Sequence, residues 1–151
     1  MTDQVEQVFA IQRIFVKDIS FEAPLGVELF SKPWKPAVNQ EIGTTTVPLA
    51  DDRYEVTLTV TVTGKLDEQT AFVVEVKQAG LFLIKGLNDE QLKQVLGANC
   101  PGILFPYVRE LVDNLMVRGS MPPLMLPPIS FDALYQQVLA QQAQQAGSTA
   151  H

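Results

Sequence analysis

Acids spaced for one face of an extended segment are the residues here best suited to binding chemistry. In KDISFEAP (17–24), Asp18, Ser20 and Glu22 share a parity; in the stretch around Glu75, so do Val73, Glu75 and Lys77. Alternate residues of a strand point to one side, so each segment presents its acids on a single face. Such a row can receive a basic partner, because opposite potentials steer encounter. A merely solvated face has the same pattern, and parity alone leaves both readings open. Catalysis has less to draw on. The one histidine, His151, ends the chain, leaving no imidazole in the body to serve a nucleophile. One His and one Cys exclude a zinc cluster within a single chain. Cys100, between Asn99 and Pro101, has no basic neighbour to lower its pKa and reads as a packed thiol. Asp51 and Asp52 are adjacent, so on a strand they would point to opposite faces; they read as a solvated turn. Neither GxGxxG nor GxxxxGK[ST] occurs, and no cofactor site emerges.

A second kind of chemistry is apolar. Trp34, the only tryptophan, sits in PLGVELFSKPWKP (24–36), a stretch broken by prolines. Leu124, Met125 and Leu126 sit in MPPLMLPP (121–128), which four prolines keep from regular structure. Apolar side chains on loops are costly unless they bind something or pack down, and methionine adapts to varied partners. Binding groove and loop anchor both remain open for each of these residues.

The elements that must position them follow from periodicity. From Asp52 to Gly64, Tyr54, Val56, Leu58, Val60 and Val62 alternate with Arg53, Glu55 and four threonines. This predicts a half-buried strand. After the polar turn around KLDEQ (65–69), a strand runs from Thr70 to about Ile84, and the two should pair as an antiparallel hairpin. Its Phe72, Val74, Val76 and Gln78 face one way, Val73, Glu75 and Lys77 the other. Phe9–Phe21 reads as a strand apolar on both parities, with Ile14 and Val16 opposite Phe9, Ile11, Phe15, Ile19 and Phe21. Such a strand is covered on both faces or binds something there. Ala37–Val47 is a weaker strand.

The second half is helical. Asn88 and Gln91 have capping-box spacing, and Gly97 fits the C-terminal cap of that short helix. A longer helix begins near Pro101–Ile103, with Pro106 tolerable only in its first turn, and Gly119 stops it. Ser130 caps a last helix whose stripe ends at Leu139. Residues 1–139 form one domain, and AQQAQQAGSTAH (140–151) reads as a disordered tail.

The 151 residues suit one core, and 46% are hydrophobic. No apolar run is long enough to span a membrane, and MTDQVEQVFAIQR has no signal-peptide pattern. With a lone cysteine, these features point to the cytoplasm. A net charge of −6 argues against a nucleic-acid footprint and permits a basic protein partner.

The ordered set KDISFEAP, AFVVEVKQAGLF (71–82) and GANCPGILFPYVRELV (97–112) resembles the SecB-type protein-export chaperones. ADDRYEV (50–56), LTVTVTG (58–64) and ISFDALY (129–135) extend the resemblance from about Phe9 to about Leu139. It implies an α+β fold: a four-stranded antiparallel sheet with C-terminal helices on one face, assembling as a dimer of dimers. It implies an ATP-independent chaperone that binds unfolded precursor proteins and delivers them to the SecA ATPase. Carried over by matched motif, Asp18, Glu22, Val73 and Glu75 would bind SecA; Val73 stands where the family more usually has Leu. Trp34, Leu124, Met125 and Leu126 would bind client. Val74, Val76, Gln78, Leu92 and Val95 would form the contact between dimers, although the same residues could be ordinary core. Rival readings are a solitary SecB-like chaperone for a dedicated client such as an antitoxin, or a carrier of one hydrophobic small molecule.

Overall fold

The sheet is built on two central strands that alternate strictly but for one skipped residue, Ala71, where Gly64 and Lys65 pair with Phe72 and Thr70. In the computed structural model, which describes residues 6–149, β1 (Val8–Glu22), β2 (Ala37–Pro48), β3 (Arg53–Leu66) and β4 (Gln69–Lys85) pair antiparallel in the order β1-β4-β3-β2. His151 lies outside the described residues. The β2–β3 hairpin turns at Asp51 and Asp52, and β3–β4 at Asp67 and Glu68, all with left-handed φ. Paired left-handed residues give a turn whose twist matches the strands, and Asp visits that region more readily than most. The adjacent acids are thus a turn.

On the inner face, Val56, Leu58, Val60 and Val62 of β3 and Phe72, Val74 and Val76 of β4 are wholly buried. Burying each side chain of this size contributes on the order of 1.5–3 kcal/mol. Helix α2 (Cys100–Arg118) covers this face, packing on β4 and β3, with Leu104, Val108, Val112 and Met116 wholly buried at helical spacing. Two glycines make room for aromatic rings on the sheet. A Cβ at Gly64 would lie 2.1 Å from the Phe72 ring, and one at Gly80 would lie 2.6 Å from Phe82.

β1 corrects the expectation of a strand apolar on both faces. Its ladder to β4 skips Gln12 and again Lys17, since Ile11 and Arg13 pair with Phe82 and Leu81, and Val16 and Asp18 with Gln78 and Lys77. Each bulge inserts one residue and resets the parity. Phe9, Ile11, Ile14, Val16, Ile19 and Phe21 consequently all oppose inner-face residues of β4, and only Phe15 of the apolar set faces outward, opposite Ala79.

The helical half departs from expectation at three points. Asn88 and Gln91 do form a capping box on α1 (Asp89–Gln94), but Gly97 is no cap. It lies in a π-type turn, Val95–Asn99, that carries the chain straight into α2. A Cβ there would fall 2.7 Å from the Tyr135 ring, so Gly97 serves the close approach of the last helix. Pro106 is inside α2 rather than in its first turn; it is exposed, as is Gly102, whose carbonyl it leaves unpaired, so water can satisfy that group. Finally, α3 runs from Phe131 to Thr149, through most of the segment read as a disordered tail. Alanine and glutamine are good helix formers, and that propensity prevails over low hydrophobicity. Ser130 Oγ accepts from the Ala133 N–H at its start.

Candidate interaction surfaces

The outer sheet face gathers the acids from three strands. Opposed residues of an antiparallel ladder share a face. Asp18 pairs with Lys77, Ser20 with Glu75 and Glu22 with Val73, so Asp18, Glu22, Val73 and Glu75 lie together, the two β1 acids exposed and the β4 pair half-buried. Glu75 in turn opposes Thr61, whose Oγ1 donates to Glu75 Oε2 at 2.9 Å. Thr61 opposes Glu41 on β2. One row therefore runs Ser20, Glu75, Thr61, Glu41, and the exposed Glu41 joins the acidic face from a strand where alternation gave little to read. The face is not purely acidic. Lys77 sits opposite Asp18, and Lys17, raised in its bulge, reaches across β4 to Glu55 Oε1 at 2.8 Å. Lys17 holds Glu55, whereas Asp18, Glu22 and Glu41 project into solvent.

The apolar loops spring from one corner. Phe21, ending β1, and Met121, just past α2, both crowd Gly119: a Cβ there would lie 2.6 Å from one and 2.8 Å from the other. Trp34 is half-buried and stacked on Phe72, with ring centroids 6.1 Å apart. In the proline-rich loop the expected residues divide. Met125 is 68% exposed and Leu124 half-buried, while Leu126 is only 3% exposed. Leu126, expected at a client site, reads as a loop anchor, because the backbone turns it into the same buried core that holds Met121.

The residues expected between dimers divide between core and surface. Val74 and Val76 are wholly buried and Gln78 nearly so within this one chain, beneath its own helix. They can act on a neighbour only through what packs over them. Leu92 and Val95, on α1 and the π-type turn, are half-buried and retain accessible surface. A separate apolar strip was not foreseen as a single surface: Phe9, Ile11, Val16 and Ile19, on the inner face of the edge strand β1, are each at least 39% exposed. An open trough of about 700 Å³ lies between β2 and α3, lined in part by Ile42, Leu96, Phe131, Leu134, Tyr135 and Val138.

Cys100 is buried, and that burial pushes its thiol up to about 12. It stays protonated at neutral pH and has no nucleophilic character. Among the described residues no group of three His, Cys, Asp or Glu could hold a metal ion, and no helix is long and apolar enough to cross a membrane.

The family model for the preprotein translocase subunit SecB matches residues 2–142. The protein-export protein SecB of Hahella chejuensis is 54% identical over 142 residues, covering 93% of this chain and 89% of that protein. Its namesake in Pseudomonas syringae pv. tomato is 55% identical over 141 residues, covering 93% and 85%. Among solved structures, a Mycobacterium tuberculosis SecB-like chaperone, in complex with a peptide from an antitoxin, superposes with a TM-score of 0.68. The match covers 80% of this chain and 90% of that one at 19% identity, a likeness of fold.

Proposed function

Because this chain belongs to the SecB family of export chaperones, we propose that it holds unfolded precursor proteins in the cytoplasm without ATP and passes them to the SecA ATPase. It is not an enzyme. The observation that carries the reading is the extent of likeness to protein-export proteins, above half identity across nine-tenths of the chain. The surfaces fit. Client apolar segments are buried against Leu124 and Met125 on the proline-rich loop and against the half-buried Trp34, with affinity supplied by that burial. Many weak sites along one long client add as avidity. Asp18, Glu22 and Glu75, flanked by Val73, receive a basic segment of SecA, and Glu41 extends that face.

Avidity requires several copies, and the chain works as a dimer of dimers. The strip Phe9, Ile11, Val16 and Ile19 on an open sheet edge supports a second copy there, since exposed apolar rows of this kind mark association surfaces. Leu92 and Val95 support the contact between dimers.

Light scattering from an aggregating unfolded precursor tests the holding role, with calorimetric titration of SecA on the same samples. One tetramer per client should suppress aggregation with no nucleotide present. Asp18→Lys, Glu22→Lys and Glu75→Lys should each weaken SecA by tenfold or more, as like-charge juxtaposition costs several kcal/mol, and leave aggregation suppression intact. Unchanged scattering would sink the chaperone reading; unchanged SecA affinity would reduce the acids to a solvated face.

A further inference from the structure

The proline-rich loop is short of the hydrogen bonds that normally fix a backbone. Among Met121–Pro128, four residues are prolines, so only Met121, Leu124, Met125 and Leu126 carry an N–H. The Met121 N–H goes to the carbonyl of Met116 at 2.9 Å, which merely finishes the preceding helix. The next two go to one atom. Asp113 Oδ1, projecting from α2, accepts from the N–H of Leu124 and from that of Met125, each at 3.0 Å. Met125 meanwhile holds φ at +52°, a left-handed conformation uncommon for a residue with a side chain. Such a conformation persists only where its surroundings over-determine it. A carboxylate gripping successive amides supplies that constraint, and charge-assisted bonds are the stronger kind. Leu126 and Met121 pin the loop by apolar burial on either side. Met125, between them, is left 68% exposed.

We propose that Asp113 is a positioning residue for client capture: its carboxylate clamps the Leu124 and Met125 amides and so holds those two side chains in the conformation that presents them. The proposal rests on the reading of this loop as client surface. A loop held in its presenting form loses little freedom when an unfolded segment settles on it. A loose loop is competent only for a fraction of the time, and apparent affinity falls by that fraction. Asp113 touches client nowhere in this scheme.

The test compares four variants of the full chain. The probe is a fluorescein-labelled protein kept unfolded by reduction and alkylation, with affinity read by anisotropy and loop order by hydrogen exchange. Asp113→Ala should weaken the probe about fivefold and speed exchange of the Leu124 and Met125 amides. Asp113→Ser, too short to reach either amide, should do the same, and it carries the test if the alanine variant folds poorly. Asp113→Asn keeps an oxygen at the same reach and should restore most of both signals, a rescue that simple loss of helix stability does not produce. Met125→Gln keeps the clamp and removes the presented apolar surface, so it should weaken the probe while exchange stays slow. Wild-type affinity in Met125→Gln would overturn the client reading of the loop. Weakened affinity there, together with wild-type affinity or slow exchange in both Asp113→Ala and Asp113→Ser, would overturn the clamp alone.

Discussion

β4 is paired on both sides and keeps its alternation unbroken from Phe72 to Ile84, whereas β1, beside it at the sheet edge, interrupts its own twice. The difference is one of cost. An extra residue in a central strand disturbs two ladders, while in an edge strand it disturbs one and leaves the other side to solvent. β4 therefore fixes which side of the sheet is core, and β1 can adjust to it. The two bulges turn six apolar side chains of β1 inward and still leave Asp18 and Glu22 outward, beside Glu75. A face of acids and an apolar edge strip coexist on one strand by this device.

The largest effect that would break this comparison is a charge on the inner face of β4. Val76→Glu places a carboxylate where the residue is wholly buried with no cation opposite, since its cross-strand neighbours are Ile19 and Val60. Burying an unpaired charge is among the few changes that cost on the order of 4 kcal/mol or more, a large part of a small domain's stability. Urea unfolding followed by circular dichroism should show loss of a cooperative native state. A folded variant that runs as dimers in multi-angle scattering would show instead that Val76, through what packs over it, supports the contact between dimers.

A middle-sized effect sharpens the same contrast through glycine. Gly64 lies under the Phe72 ring on which Trp34 stacks. Gly64→Ala should push that ring aside at a cost of about 1–3 kcal/mol, the usual range for overpacking, and shift the emission of Trp34 to the red as its cover is lost. Gly43, on the edge strand β2, has nothing within 4 Å of an added Cβ. Gly43→Ala should leave emission unchanged and stability within about 0.5 kcal/mol, as for surface sites generally. Equal responses at the two glycines would dissolve the distinction between central and edge positions.

Alternation made β3 and β4 legible because a ladder on each side holds them to period two. Local hydrogen-bonding chemistry made the Asn88–Gln91 box, the Gly119 stop and the Ser130 cap legible for the same reason: cause and effect lie within four residues. The bulges at Gln12 and Lys17 carry no glycine to mark them and exist only in the pairing with β4. Gly97 owes its role to Tyr135, far along the chain. Glu41 enters the acidic row through Thr61 and Glu75, two strands away. Asp113 meets its loop eleven residues on. Those links are set by packing, which one-dimensional periodicity does not record. The length of α3 is different, since helix-forming alanines and glutamines from Ala140 onward were there to be weighed against low hydrophobicity.

The smallest expected effect tests the bulge itself. In the β1–β4 ladder Val16 and Asp18 already face consecutive β4 residues, Gln78 and Lys77, with Lys17 supernumerary. Deleting Lys17 should therefore close the bulge without a register slip, keeping Val16 inward and Asp18, Ser20 and Glu22 outward. What is lost is the ion pair to Glu55. One member of that pair is 41% and the other 27% exposed, and such pairs contribute about 0.2–1 kcal/mol. Stability should fall by no more than that, and SecA affinity should stay within about twofold. Deleting Ala79 from β4 is the counterpart: its ladder to β3 is regular from Arg53 to Gly64, and the one skipped β4 residue, Ala71, lies far off near the strand's start, so residues on either side of the gap fall out of step by one and their faces exchange. That chain should not fold. If removal of Lys17 is as damaging as removal of Ala79, the bulge is a structural requirement of the sheet, and the freedom assigned to the edge strand does not exist.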